Sequence, residues 1–199
     1  EGIAKSINFA LRSLGKPRRP EKDLIKYIGP TLKTAFSDLM DTRDDAVLLK
    51  AINLFRQRYY SVGFMENSLY DGINTLLSHL KDAGHNLFVA TLKRGALARR
   101  VGEYFGIAEY FSGIFGCDLD IPKVDVLENI LGITGVQKKA AFMVGDRETD
   151  MTAGTNVGIR TVGVSWGFGS RSELSSAEVV VDSPTDLLRY FRNAQKQNC

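Results

Sequence analysis

Residues 140–150 read Ala140-Ala141-Phe142-Met143-Val144-Gly145-Asp146-Arg147-Glu148-Thr149-Asp150. An unbroken apolar run with no polar alternation predicts a strand buried on both faces. Gly145 then turns the chain. Acidic residues crowd that turn and the opening of a helix expected over 149–155. Outward in both directions the same rhythm recurs. Upstream, a helix over 71–83 stops at Gly84 and Asn86-Leu87-Phe88-Val89-Ala90-Thr91 reads as a buried strand. A helix over 95–105, a short strand at Ile114-Phe115-Gly116 and a helix over 124–131 follow. Downstream, strands are expected over 159–164 and 178–181, with a last helix over 184–192. Short apolar strands alternating with helices predict an α/β fold: a doubly wound parallel, Rossmann-like sheet covered on both faces.

Before residue 67 only helical periodicity is present. Ile3, Ile7, Ala10, Leu11 and Leu14 form one stripe, stopped by Gly15. Lys16-Pro17-Arg18-Arg19-Pro20 is a loop, a helix starts near Glu21, and Gly29-Pro30 turns the chain into a further helix. The longest helix, over 44–60, places Val47, Leu48, Ala51, Leu54 and Phe55 on one face. The expected division is an all-helical domain over 1–66 and an α/β core over 67–199.

Composition narrows the function classes. The 199 residues are 44% hydrophobic and 25% charged, an ordinary globular balance. Twenty-six Lys+Arg against 23 Asp+Glu leave a net charge of +3, too little to argue for nucleic acid. No apolar run reaches the ~18 residues of a membrane span. Cys117 and Cys199 are too few for a disulfide scaffold, so a reducing cytoplasm is expected. His79 and His85 have no partner in the sequence that suggests a metal. Trp166 is expected to pack at its glycine-rich loop, and Tyr59, Tyr60 and Phe64 to join the helical bundle to the core.

In open α/β sheets ligands bind beyond the carboxyl ends of the strands, so the residues that follow each strand matter most. Asp146 stands at a strand mouth and Asp150 near the opening of the next helix. Clustered carboxylates suit Mg²⁺, which takes oxygen ligands and keeps several waters. The plain alternative is that Asp146 or Thr149 caps the helix. Thr91-Leu92-Lys93 follows another strand, where a hydroxyl and backbone N–H groups can hold phosphoryl oxygens; Thr91 as a simple helix cap is the competing reading. Lys123 precedes a helix and would offset phosphoryl charge and hold the acids in place, or else be a solvated surface cation.

Taken in order, Thr91, Lys123 and the Gly145-to-Asp150 stretch resemble the second, third and fourth motifs of the haloacid dehalogenase-like hydrolase superfamily. Tyr70-Asp71-Gly72, Ile28-Gly29-Pro30-Thr31-Leu32 and Val164-Ser165-Trp166-Gly167-Phe168-Gly169-Ser170 resemble segments of its phosphoglycolate phosphatase-like branch. The resemblance implies an Mg²⁺-dependent hydrolase of a small phosphate monoester acting through an aspartyl-phosphate. Thr91 and Lys123 would be catalytic. Thr91, Leu92 and Lys123 would bind phosphate, and Asp146 and Asp150 would serve the metal. The helical domain would be a cap that closes over the site. The expected partner is a small phosphorylated metabolite, with no nucleic acid or membrane, on a cytoplasmic monomer or weak homodimer.

The superfamily's first motif, Asp-x-Asp-Gly-Thr, which carries the nucleophile, is not among residues 1–199. Asp118-Leu119-Asp120 has the spacing but follows the second motif and lacks Gly-Thr. Loss of a central strand would strand the hydrogen-bonding groups of both its neighbours. A strand and turn of roughly fifteen residues before Glu1 is therefore expected, and a few residues are expected to be lacking near Ile121-Pro122. The acid cluster argues against metal-free 2-haloacid dehalogenases. 5′-Nucleotidase, pyrophosphatase and sugar-phosphate mutase activities stay open. A non-catalytic phosphate-binding or regulatory protein is the alternative if the first motif is truly absent.

Overall fold

The structure, a computed structural model, describes residues 1–117 and 121–196. Asp118-Leu119-Asp120 and Cys199 lie outside the described residues. Chain contacts divide the protein into two compact units, Glu1–Ser68 and Leu69–Cys199.

The first unit is helical: α1 (Gly2–Ser13), α2 (Glu21–Leu24), α3 (Leu32–Met40) and α4 (Asp45–Ser61). Its core is the α1 stripe of Ile7, Ala10 and Leu11 with Leu24, Phe36, Leu48, Ala51, Phe55 and Tyr59, all buried. Phe55 and Tyr59 stack at 5.3 Å. Two of these helices, α3 and α4, begin where a side chain supplies an acceptor for their free N–H groups. Thr31 accepts from Thr34 N at 3.2 Å, and Asp44 from Ala46 N at 2.8 Å and Val47 N at 3.2 Å. A bidentate Arg58–Glu66 pair, at 2.8 and 2.9 Å, ties the end of α4 to the turn that follows.

The second unit runs α5 (Ile73–Asp82), β1 (Phe88–Ala90), α6 (Gly95–Tyr104), β2 (Gly113–Phe115), α7 (Lys123–Thr134), β3 (Phe142–Gly145), α8 (Glu148–Val157), β4 (Arg160–Val164), β5 (Val179–Val181) and α9 (Pro184–Lys196). Every strand pairing among the described residues is parallel. The pleat sorts side chains by turns onto two faces. Phe142, Val162, Val164, Val179 and Val181 pack with Leu76 and Leu80 of α5 and Leu187 and Phe191 of α9. Met143 packs the other way, with Leu127 of α7 and Ala153 and Val157 of α8. Helices thus cover both faces, which is why these strands are apolar without alternation.

The expected single sheet is found as two, one ordered β1-β2 and the other β3-β4-β5. Among the described residues β1 pairs only with β2, and β3 only with β4, so each keeps one edge without a strand partner. The halves still share a core, because Ala90 of β1 packs against the cluster of Leu127 and Met143. The strands are also shorter than expected. Ala140 ends a 3-10 turn over Lys138–Ala140 rather than starting β3. Hydrogen bonding extends past β1 at both ends, however, with Ser112 N donating to Leu87 O and Thr91 N to Phe115 O.

Candidate active site

Pairing is parallel within each of the two sheets, so the strands of each share one carboxyl end. Thr91 follows β1, Asp146 follows β3, and the loop over residues 165–171 follows β4.

Thr91 does not cap α6, whose preceding residue is Arg94 and whose first turn has no side-chain cap. Instead its Oγ1 accepts from Lys93 N at 3.2 Å, closing a tight turn on the end of β1. Lys93 O in turn accepts from Cys117 N at 2.8 Å. The two post-strand segments approach so closely that a Cβ on Gly116 would lie 2.4 Å from Lys93 O and 2.5 Å from Gly95 N. Only glycine fits there without displacing backbone. Leu92, between Thr91 and Lys93, is 41% exposed.

Lys123 is the first residue of α7, and its ammonium binds the Asp150 carboxylate in a close ion pair. Asp150 is 4% exposed and its other oxygen accepts from Arg147 N at 3.1 Å. One carboxylate therefore satisfies both the helix entrance of α8 and a buried cation. A Cβ at Gly145 would fall 2.3 Å from Asp150 Oδ2, so Gly145 lets the acid fold back over the end of β3.

Asp146 is not the cap of α8. Its Oδ2 accepts from Phe168 N at 2.7 Å, across the loop after β4. Gly167 makes that approach possible, since a Cβ there would stand 2.3 Å from the Asp146 carboxylate. The loop is held from outside by Arg147, which donates to Phe168 O at 3.4 Å and pairs with Glu173 at 3.1 Å. Ser165 Oγ and Arg171 both bind Asp182. Trp166 packs onto the α5–α9 face.

Electrostatics tie two further residues, Lys93 and Tyr70, to the charges of this site. The protein around the Lys93 ammonium holds it below the usual lysine range. Desolvation is the larger cause, the Lys123 charge adds to it, and Asp146 opposes both. Burial raises the Tyr70 hydroxyl, and the Asp146 charge raises it further. A lysine in a turn and a tyrosine before a helix both look like ordinary surface residues in one dimension.

The carboxylates fit Mg²⁺ in a limited way. Among the described residues no group of three or more His, Cys, Asp or Glu side chains converges as a metal cage. Asp150 is engaged by Lys123 and Arg147, whereas Asp146 keeps Oδ1 without a protein donor among the described residues. Mg²⁺ characteristically binds through one or two carboxylates and completes its shell with water and phosphate oxygens. Asp146 as the open ligand, with Asp150 behind it, meets that requirement.

Other candidates stay structural. Burial lowers the His85 pKa, and its ring lies 5.4 Å from Phe191. Cys117 is buried, and Tyr59 and Phe64 are buried in the helical unit. No helix among the described residues is long and apolar enough to cross a membrane.

The family model described as haloacid dehalogenase-like hydrolase matches residues 1–164. A 5′-nucleotidase from Pseudomonas aeruginosa is 36% identical over 177 residues, covering 87% of this chain and 80% of that protein. Tyrosine-protein kinase PtkA from Mycobacterium tuberculosis is 36% identical over 199 residues, covering 97% of this chain and 66% of its own length. The crystal structure of a predicted phosphatase from Clostridium acetobutylicum superposes with a TM-score of 0.89 at 34% identity, covering 96% of this chain and 91% of that one.

Proposed function

The chain belongs to the haloacid dehalogenase-like hydrolase family, and on that premise we propose that it hydrolyses a small phosphate monoester with Mg²⁺ as cofactor. The coarse activity, phosphoric monoester hydrolysis, follows from the family and from relatives named as phosphatases. The metal, the residue roles and the substrate are the proposal. The observation that carries it is the Lys123–Asp150 ion pair, formed across 27 residues beside the end of β3, where Asp146 takes the loop after β4.

Each group has a distinct task. The Thr91 hydroxyl and the N–H groups of its turn hold phosphoryl oxygens. Lys123, kept in place by Asp150, offsets the charge that develops on them. Asp146 and Asp150 would hold Mg²⁺, which supplies positive charge against phosphoryl oxygens and the crowded carboxylates. The nucleophile is the aspartate of the family's first motif, which is not among residues 1–199. By the family resemblance the helical unit, Glu1–Ser68, would be the cap domain.

The superfamily resemblance favours a phosphoglycolate-like substrate. The 36% identity to a 5′-nucleotidase favours a nucleoside monophosphate as the second reading. Phosphate release from 2-phosphoglycolate, nucleoside 5′-monophosphates, sugar phosphates and pyrophosphate, with Mg²⁺ or with EDTA, tests both. Turnover confined to Mg²⁺ samples is expected. No turnover of any phosphoester by the full-length protein would reject the proposal.

A further inference from the structure

Arg147 has no task in the mechanism above, although it follows Asp146 directly in the chain. It stands at the entrance of α8. Its main chain is fixed there, with the N–H donating to Asp150 Oδ2 at 3.1 Å and the carbonyl accepting from Asp150 N at 2.9 Å. From this fixed point the side chain crosses to the segment after β4. Nη1 donates to Phe168 O at 3.4 Å, and Nε pairs with Glu173 Oε2 at 3.1 Å. Only 22% of the Arg147 side chain and 28% of the Glu173 side chain are exposed, so the pair is shielded from bulk water. Glu173 is tied to the same loop a second time. Its Oε1 accepts from Ser170 N at 3.2 Å, and its own N–H donates to Ser170 Oγ at 3.3 Å.

The stretch held in this way is the one that lies on Asp146. Phe168 N donates to Asp146 Oδ2 at 2.7 Å. A Cβ on Gly167 would fall 2.3 Å from the Asp146 carboxylate, and one on Gly169 1.7 Å from the Asp146 carbonyl oxygen. The guanidinium is thus turned to Glu173 and the Phe168 carbonyl, while the Asp146 carboxylate takes a neutral N–H from the loop. A carboxylate ligand depends on the groups behind it for its orientation. We propose that Arg147, anchored by Glu173, is a positioning residue: it holds the loop after β4 so that the Phe168 N–H orients the Asp146 carboxylate for Mg²⁺. The inference rests on the metal reading of Asp146 and adds two residues that reading does not use. Charge and position make opposite demands on Arg147. Removing a cation beside a divalent-metal site should tighten Mg²⁺ binding by electrostatics alone. Removing the group that orients the ligand should weaken it.

The test is calorimetric titration of Mg²⁺ into the full-length protein, for wild type, Arg147→Met and Glu173→Gln, with amide hydrogen exchange over residues 165–171 measured on the metal-free proteins. Arg147→Met keeps a long apolar stem and removes both donors. It is expected to weaken Mg²⁺ binding about tenfold, or ~1.4 kcal/mol, and to speed exchange in the loop. Glu173→Gln keeps an acceptor for Ser170 N and removes the charge that holds the guanidinium. It is expected to weaken Mg²⁺ binding about threefold, as suits a partly exposed pair, with faster exchange in the same loop. Unchanged or tighter Mg²⁺ binding in Arg147→Met overturns the assignment and leaves the metal reading of Asp146 intact. Weaker binding with wild-type exchange over 165–171 also overturns it, because the effect then does not pass through the loop. An Arg147→Met protein that fails to fold makes the arginine structural and overturns it as well. If wild type binds no Mg²⁺, the metal reading falls and this inference with it.

Discussion

Asp150→Ala removes the carboxylate that two parts of the second unit share. Its side chain is 5% exposed and that of its partner Lys123 16% exposed. Removing one partner of a buried ion pair costs about 3–5 kcal/mol, because the other charge is left without compensation. Lys123 keeps some access to water, so the lower end applies, about 3 kcal/mol. Loss of the acceptor for Arg147 N, 3.1 Å away, adds ~1 kcal/mol at the entrance of α8. The sum of roughly 4 kcal/mol corresponds to a fall of about 8–16 °C in unfolding temperature for a chain of this size. Trp166 is the sole tryptophan and packs on the α5–α9 face, so its fluorescence in a urea titration follows this unit. Asp150→Asn retains an acceptor for Arg147 N and should lose about 2–3 kcal/mol. Adding Lys123→Met to Asp150→Asn should recover part of that loss, with a coupling of about 1.5–3 kcal/mol. A change under ~0.5 kcal/mol in Asp150→Ala, the range of an ordinary surface substitution, or a coupling near zero, would refute the shared-carboxylate account.

Gly116→Ala forces a Cβ to within 2.4 Å of Lys93 O and should destabilise the second unit by about 1–3 kcal/mol, measured by the same fluorescence titration. Thr91→Val removes the acceptor for Lys93 N. It should cost ~0.5–1.5 kcal/mol in stability and also weaken phosphate binding in calorimetry. Glu66 is held below the usual carboxylate range, first by its hydrogen bonds from Arg58. Its contribution is therefore present above the unfolded carboxylate pKa and is lost as pH falls through the lower folded value. Urea unfolding of the helical unit followed by circular dichroism from pH 7 to pH 3 should show Glu66→Gln differing most from wild type near neutrality. The two curves should converge in acid.

The apolar runs alone locate all five strands of the second unit to within a few residues, because strands covered on both faces must be apolar throughout. Asp146 and Asp150 were legible for a related reason: a glycine and acids directly after a buried strand must emerge at the sheet edge. What each acid bonds was not legible. Lys123 lies 27 residues from Asp150, and Phe168 lies 22 residues from Asp146, so only the crossover of α7 and the return after β4 bring them together. The helix-cap alternative for Asp146 or Thr149 fails because Asp150, third in the helix, reaches back to Arg147 N, while Asp146 bonds the loop at Phe168 N. Lys93 is legible as part of the Thr91 turn, but its charge environment is not, because it depends on Lys123 and Asp146, both distant in sequence. The split into two sheets is equally hidden, since an apolar run fixes a strand's burial and not its hydrogen-bonding neighbours.

Asp146 holds the account together, as the carboxylate with an oxygen left open at the end of β3. Its substitution by Asn preserves an acceptor for Phe168 N and so should leave stability within about 1 kcal/mol of wild type. The decisive measurement is phosphate release by the full-length protein as a function of Mg²⁺ concentration, for wild type and Asp146→Asn. The account predicts saturable Mg²⁺ activation in wild type. In Asp146→Asn it predicts a loss of at least about a hundredfold in kcat/KM, or ~2.7 kcal/mol of transition-state stabilisation, with a weakened Mg²⁺ response. Wild-type turnover and Mg²⁺ dependence in a folded Asp146→Asn protein would contradict it.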